Sequence, residues 1–275
     1  MPRHAERNEN VTAMQDVFAD LATEGDELDA VVAGLTPDEW NVATPAPGWT
    51  VAHQVAHLTS VVRLARIAAT DTDAFQAELQ AHGGDFQRMV DAKLTDYLAG
   101  PTSGLLQRWR EERATGDKAL AAVPKSSTVP WLANPLPARV LAAAGMMELL
   151  GHGQDILDGL GLTRTFTDRI GHVAFLGTRT RDFGYLVRGL EPPTEAFRFE
   201  LTAPSGIVWA FGPDDAEQRI SGPAADFCLL VTRRRHRDDL AMTATGSEAD
   251  RWLDIAQAYI GPAGEGRRPA QFASA

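Results

Sequence analysis

Apolar residues return every three or four positions over most of the first 160 residues, the period of helices with one buried face. In "MQDVFADLATEGDELDAVVAGL" (14–35) the stripe is continuous, and Gly34 supplies a stop. "TPDEWNVATPAPGW" breaks the pattern with three prolines and a glycine, after which Thr50 can cap a helix through "VAHQVAHLTSVVRLARIAA". The spacing predicts a third helix over 72–98, a fourth over 103–122 and a fifth over 137–160. Five helices on short Pro- or Gly-bearing loops make an antiparallel bundle. Residues 1–11 are polar and read as a frayed tail.

The period changes after "DGLGL". One more helical segment is expected near 168–188, and then "PPTEAFRFELTAPSGIVWAFGP" alternates apolar and polar residues on both sides of a Pro-Ser-Gly turn, the pattern of a hairpin. "GPAADFCLLVTRRR" reads as a helix, "DLAMTATG" as a strand, and "SEADRWLDIAQAYI" as a closing helix capped by Ser247. The last dozen residues read as a loose tail. The expected fold class is therefore α plus α+β: a helical bundle over 13–165 and a smaller C-terminal α+β domain over 166–262, with the boundary falling within 161–190.

Composition narrows the function. A formal net charge of -11 gives no reason to expect nucleic-acid or anionic-membrane binding. The single cysteine, Cys228, excludes an internal disulfide framework and a Cys-rich zinc site, and its apolar setting "DFCLLV" reads as core. No stretch approaches the ~20 apolar residues of a membrane span, and "MPRHAERNEN" lacks the apolar segment of a signal peptide, so the expected address is the cytoplasm. GxSxG, P-loop and GxGxxG motifs are absent.

Two helices carry candidate chemistry. At 100° per residue, Glu148, His152 and Asp155 of "MELLGHGQDI" fall within about 60° of one another. They form either a solvated face or the polar floor of an inward one. Leu141 and Ala144 lie upstream on the Glu148 line, and Gly151 and Gly153 allow close approach, both of which suit the inward face. On the second helix, Val61, Leu64 and Ala68 fall within about 40° of His57, which places it on a core stripe. Two imidazoles and a carboxylate from facing helices form a three-ligand set for a catalytic zinc with one open position. His53, one turn before His57, is either a fourth ligand or, as preferred, a residue that supports the ligands from behind or faces the substrate, because a fourth protein ligand would close the site.

"PAPGWTVAHQVAHL", followed some ninety residues later by "MELLGHGQDI", resembles the mycothiol-dependent maleylpyruvate isomerase family of the DinB-like metal-binding superfamily. The resemblance implies a DinB-like bundle with zinc on His57, Glu148 and His152. Gln154 and Asp155, which match the family's "HGQD", are implied to support the cofactor site by orienting ligands or by closing a helix–helix hydrogen bond. "ISGPAADFCLLVTRRR" is similar to the family's C-terminal helix followed by an Arg, which falls here on Arg233, Arg234 or Arg235. The run 233–237 reads as a solvated helix end or as the source of one anion-binding side chain, for which Arg234 is preferred. Trp49 is read as packing the bundle end.

The implied activity is that of an enzyme using a divalent metal, zinc first, and the thiol mycothiol as cosubstrate in an actinobacterial setting. With no reactive protein cysteine, the nucleophile comes from solution. Net S-transfer to an electrophilic small molecule is preferred, since nothing singles out a small dicarboxylate. Cis–trans isomerisation of the maleylpyruvate type is the alternative. A metal-dependent hydrolase and a non-catalytic metal-binding protein are the rivals from other classes. The expected partners are the small-molecule thiol and the electrophile, with the chain a monomer or homodimer.

Overall fold

A computed structural model describes residues 16–132 and 134–272. The tail expected at 1–11 and the first residues of the helix expected from Met14 lie outside the described residues. The chain divides into two compact units, Val17–Thr165 and, after it, Phe166–Ala275.

The first unit is helical: α1 (Val17–Ala33), α2 (Val51–Thr70), α3 (Thr72–Ala81), α4 (Phe86–Leu98), α5 (Thr102–Ala122) and α6 (Ala138–Leu160), with a two-stranded ribbon, β1 (Thr128–Val129) and β2 (Leu136–Pro137), ahead of α6. Among these, α2 is the central helix. It packs on α3, α4, α5 and α6, and Val51, Val55, Leu58, Leu64 and Ala68 are all buried. α6 packs on α1, α2 and α5. It stops at Gly161, which takes the left-handed conformation (φ 67°) while the Leu162 amide donates back to the Leu157 carbonyl.

The helix expected over 72–98 is two helices. "HGGD" breaks it, because Gly83 and Gly84 both adopt positive φ and the Asp85 side chain caps α4 by accepting from the Arg88 amide. Asp71 does the same for α3 through the Ala74 amide.

The second unit holds α7 (Gly171–Arg179), α8 (Phe183–Leu186), β3 (Phe197–Thr202), β4 (Val208–Phe211), β5 (Gln218–Pro223), α9 (Ala224–Val231), β6 (Thr243–Thr245) and α10 (Ser247–Ile255). The sheet order is β4-β3-β5-β6, and only the β3–β5 pair is parallel. β3 alternates as its sequence suggests, with Phe197, Phe199 and Leu201 inward and Arg198 and Glu200 outward. Phe199, Phe227 and Trp252 meet in an aromatic cluster with ring centroids 5.7 to 6.1 Å apart. Cys228 is fully buried on α9, as its apolar setting indicates.

Four expectations in this unit change. The segment near 168–188 is not one helix, since it breaks between α7 and α8. β5 was not foreseen, because Ile220 is its one buried apolar side chain. Ser247 is the first helical residue of α10 and not its cap. Gly246 holds the cap position at φ 93°, and the Gln218 side chain accepts from the Ala249 amide. The C-terminal segment is tied down as far as residue 272: the Ala270 amide donates to Asp239, and Arg235 lies 3.9 Å over the Phe272 ring. No helix among the described residues is long and apolar enough to cross a membrane.

Candidate metal centre

The site is built on α2 and α6, starting from the loop that leads into α2. Pro47 and Gly48 form a tight turn, Gly48 at φ 77°, closed by the Trp49 amide donating to the Ala46 carbonyl. The chain then doubles back, Thr44 and Val51 pairing with Trp49 and Val42, so that Trp49 hangs over the first turn of α2. Its indole stacks on His152 at 5.9 Å and lies 5.4 Å from the His57 ring and 6.4 Å from that of His53. Reading Trp49 as packing the bundle end missed this. The aromatic is the half-buried wall of the histidine cluster.

His57, Glu148 and His152 each offer one ligand atom, all within 4.8 Å of one another. Glu148 Oε2 is 3.4 Å from His57 Nε2 and 3.2 Å from His152 Nε2. Two ligands at zinc's bond lengths and tetrahedral angle stand about 3.3 Å apart, so both edges fit. The three side chains are 10%, 24% and 16% exposed, which leaves the cluster reachable from outside.

The hydrogen-bond chain behind His152 decides its tautomer. The Thr44 hydroxyl donates to the Trp49 carbonyl at 2.9 Å, so it must accept from Gln54 Nε2, 2.8 Å away. That turns Gln54 Oε1 towards His152 Nδ1 at 2.6 Å. An amide oxygen only accepts, hence Nδ1 carries the proton and Nε2 presents a lone pair to a carboxylate oxygen. Two lone-pair atoms facing at 3.2 Å require a cation between them, a proton or a metal ion. Burial alone would raise the Glu148 carboxyl, but hydrogen bonds and charge from His152 and His57 hold it well below the usual carboxylate range. The donor set therefore fits a divalent metal.

His53 stands outside this cluster. Its Nδ1 accepts from the Thr50 amide at 3.3 Å and lies 2.8 Å from the Thr50 hydroxyl, so it closes the N-terminus of α2 in the place a Glu usually takes. Desolvation lowers its pKa and keeps it neutral. Gln154 turns away, donating to Asp158 one turn on, and Asp155 is buried at 1% exposure. His152 Nδ1 meets the side chain of Gln54, a residue the sequence did not single out. Gly153 does mark a close approach, but to Arg164 and Leu28.

In the second unit, α9 ends at Val231, so the arginine run lies beyond the helix that "GPAADFCLLVTRRR" was expected to form. Arg233 takes the left-handed conformation (φ 58°) and reaches the Gly264 carbonyl. Arg234 is half-buried and donates to the Thr232 carbonyl at 2.6 Å, and Arg235 donates to the Arg234 carbonyl at 2.7 Å.

Residues 21–157 match the model of the mycothiol maleylpyruvate isomerase N-terminal domain. The chain is also 45% identical, over 249 residues, to an uncharacterized protein of Mycobacterium tuberculosis recorded from two strains, covering 90% of this chain and 97% of that one. The chain belongs to the mycothiol maleylpyruvate isomerase family. In fold it is similar to crystal structures of the mycothiol-dependent maleylpyruvate isomerase and of its histidine-to-alanine mutant, with TM-scores of 0.50 and 0.51 at 16% identity, over 78% of this chain and 86% of theirs. Residues 193–245, which hold β3 to β6, match a second model, described as wyosine base formation. Within the family's N-terminal domain, His57, Glu148 and His152 are the group among the described residues able to hold a metal.

Proposed function

We propose that the chain is a metal-dependent enzyme that uses mycothiol as cosubstrate and acts on an activated carbon–carbon double bond, in the manner of a maleylpyruvate isomerase. The observation that carries this is the His57–Glu148–His152 cluster inside a domain of that family. A divalent ion on two neutral imidazoles and one carboxylate keeps net positive charge and lowers the pKa of a thiol beside it.

The chain's own residues prepare the place. Glu148 stays ionised, and the Gln54 relay keeps the His152 lone pair directed inward. Trp49 gives an aromatic wall against which the reacting groups are held away from water. His53, neutral and with Nδ1 engaged, has Nε2–H left to offer. The thiol sulfur adds to one carbon of the double bond, the resulting single bond turns, and elimination returns the sulfur and restores the double bond. No atom is gained or lost. The family match moves this reading ahead of net S-transfer, which would stop at the adduct.

The test supplies maleylpyruvate and other electrophilic alkenes to the zinc-loaded protein with mycothiol, with another small thiol, and with none. Isomerised product that forms with mycothiol, which is not consumed, supports the reading. An accumulating adduct instead supports S-transfer, and equal turnover without thiol discards both in favour of a hydrolase.

A further inference from the structure

We infer that Gln54 is a positioning residue of the metal centre: through its amide it fixes the tautomer and orientation of His152, and the loop carrying Thr44 and Trp49 holds Gln54 in turn. The inference rests on the reading that His57, Glu148 and His152 bind a divalent ion.

Gln54 is completely buried on α2, three residues before His57. Burying an uncharged amide there costs free energy unless both ends are bonded. Here the oxygen accepts from His152 Nδ1 at 2.6 Å and the nitrogen donates to Thr44 Oγ1 at 2.8 Å. The relay then ends at the Trp49 carbonyl, the backbone of the residue whose ring stacks on His152. Ring plane and ring proton of one ligand are thus set by a single connected unit spanning α2, α6 and the loop.

The other imidazole has no such support. His57 Nδ1 is buried and has no hydrogen-bond partner among the described residues, so outer control of the centre falls on His152. The choice of an amide also has a chemical consequence. A carboxylate in that place would make the imidazole a stronger donor and draw charge off the ion. A neutral amide orients the ring and leaves the ion more electrophilic, as ionising a thiol requires.

The experiment is zinc affinity by chelator competition on the full-length protein. Gln54→Leu removes the acceptor and should weaken zinc binding about ten- to a hundredfold, the range for lost outer partners of metal ligands. Gln54→Glu keeps an acceptor for His152 Nδ1 but gives up the donor to Thr44, and should weaken zinc binding no more than Thr44→Val does. Thr44→Val leaves Gln54 in place but frees its amide, and should weaken zinc several-fold; it keeps the inference testable if the leucine variant does not fold. Wild-type affinity in Gln54→Leu would overturn the inference, as would equal loss in the Leu and Glu variants, which would reduce Gln54 to packing. His152→Ala is the control for the underlying reading: if it keeps its zinc the ligand set is wrong, whereas if it loses zinc while Gln54→Leu does not, the positioning role alone fails.

Discussion

Replacing Gly153 with alanine sets two effects of known sign against each other. In a helix interior alanine is favoured over glycine by about 1 kcal/mol. But a Cβ at 153 would stand 2.7 Å from Arg164 Nη2, and ordinary contact begins near 3.4 Å, so the guanidinium must retreat by about 0.7 Å. Arg164 is 10% exposed and holds its place through the Leu149 and Leu150 carbonyls, both at 3.4 Å, and Glu24 at 3.6 Å. These contacts are already long and will not survive the shift. Losing hydrogen bonds from a buried charge costs about 1.5–3 kcal/mol. Gly153→Ala should therefore destabilise by about 0.5–2 kcal/mol. With Arg164→Ala in place the obstacle is gone, and the same substitution should stabilise by about 1 kcal/mol. Urea unfolding of the four proteins gives the cycle directly. Zinc content should stay at wild-type level in Gly153→Ala, since that Cβ points about 100° away from His152. The same sign and size of effect in both backgrounds would refute the reasoning.

His57→Ala should lose its metal, while His53→Ala should keep it and lose about 1 kcal/mol of stability with the α2 cap; elemental analysis and thermal unfolding separate the two. Chelation of the wild type should lower Tm without melting the bundle, because the native site alone binds the ion; calorimetry before and after reloading with zinc checks this. Burial would raise the Glu78 carboxyl, but the Lys93 ammonium and the Arg63 guanidinium together hold it below its ordinary value of 4.5. A depressed folded pKa stabilises fully above about pH 4.5 and loses that contribution as pH falls through the folded value. The wild type should thus exceed Glu78→Gln by on the order of 1 kcal/mol near neutrality, and the gap should close on acidification, as read from Tm against pH.

What was legible in the sequence follows from how each feature is encoded. The bundle helices announce themselves by apolar period, and Glu148, His152 and His57 by the helical angles that put them on inward faces. Gln54 was not legible, because an amide in a helix has many uses and its two side-chain hydrogen bonds run to residues 44 and 152, which only the tertiary fold brings together. Trp49 was misjudged for the same reason: its ring direction depends on the Pro47–Gly48 turn folding back over α2. The break at 82–85 was written plainly in two glycines and a capping aspartate, and a continuous period drawn across them hid it. β5 shows the opposite limit. A strand with one buried apolar side chain, paired on both sides by backbone hydrogen bonds, leaves almost no hydrophobic pattern to read. The arginine run was placed at the end of a helix by extending α9 past Val231, beyond which Arg233 turns to positive φ.

The most direct measurement is the X-ray absorption fine structure of the zinc-loaded protein with and without mycothiol. The account predicts nitrogen and oxygen neighbours alone near 2.0–2.2 Å in the absence of thiol, including two imidazoles, and one sulfur at about 2.3 Å once mycothiol is added. Zinc that stays sulfur-free at saturating mycothiol would contradict the claim that this site prepares the thiol for reaction.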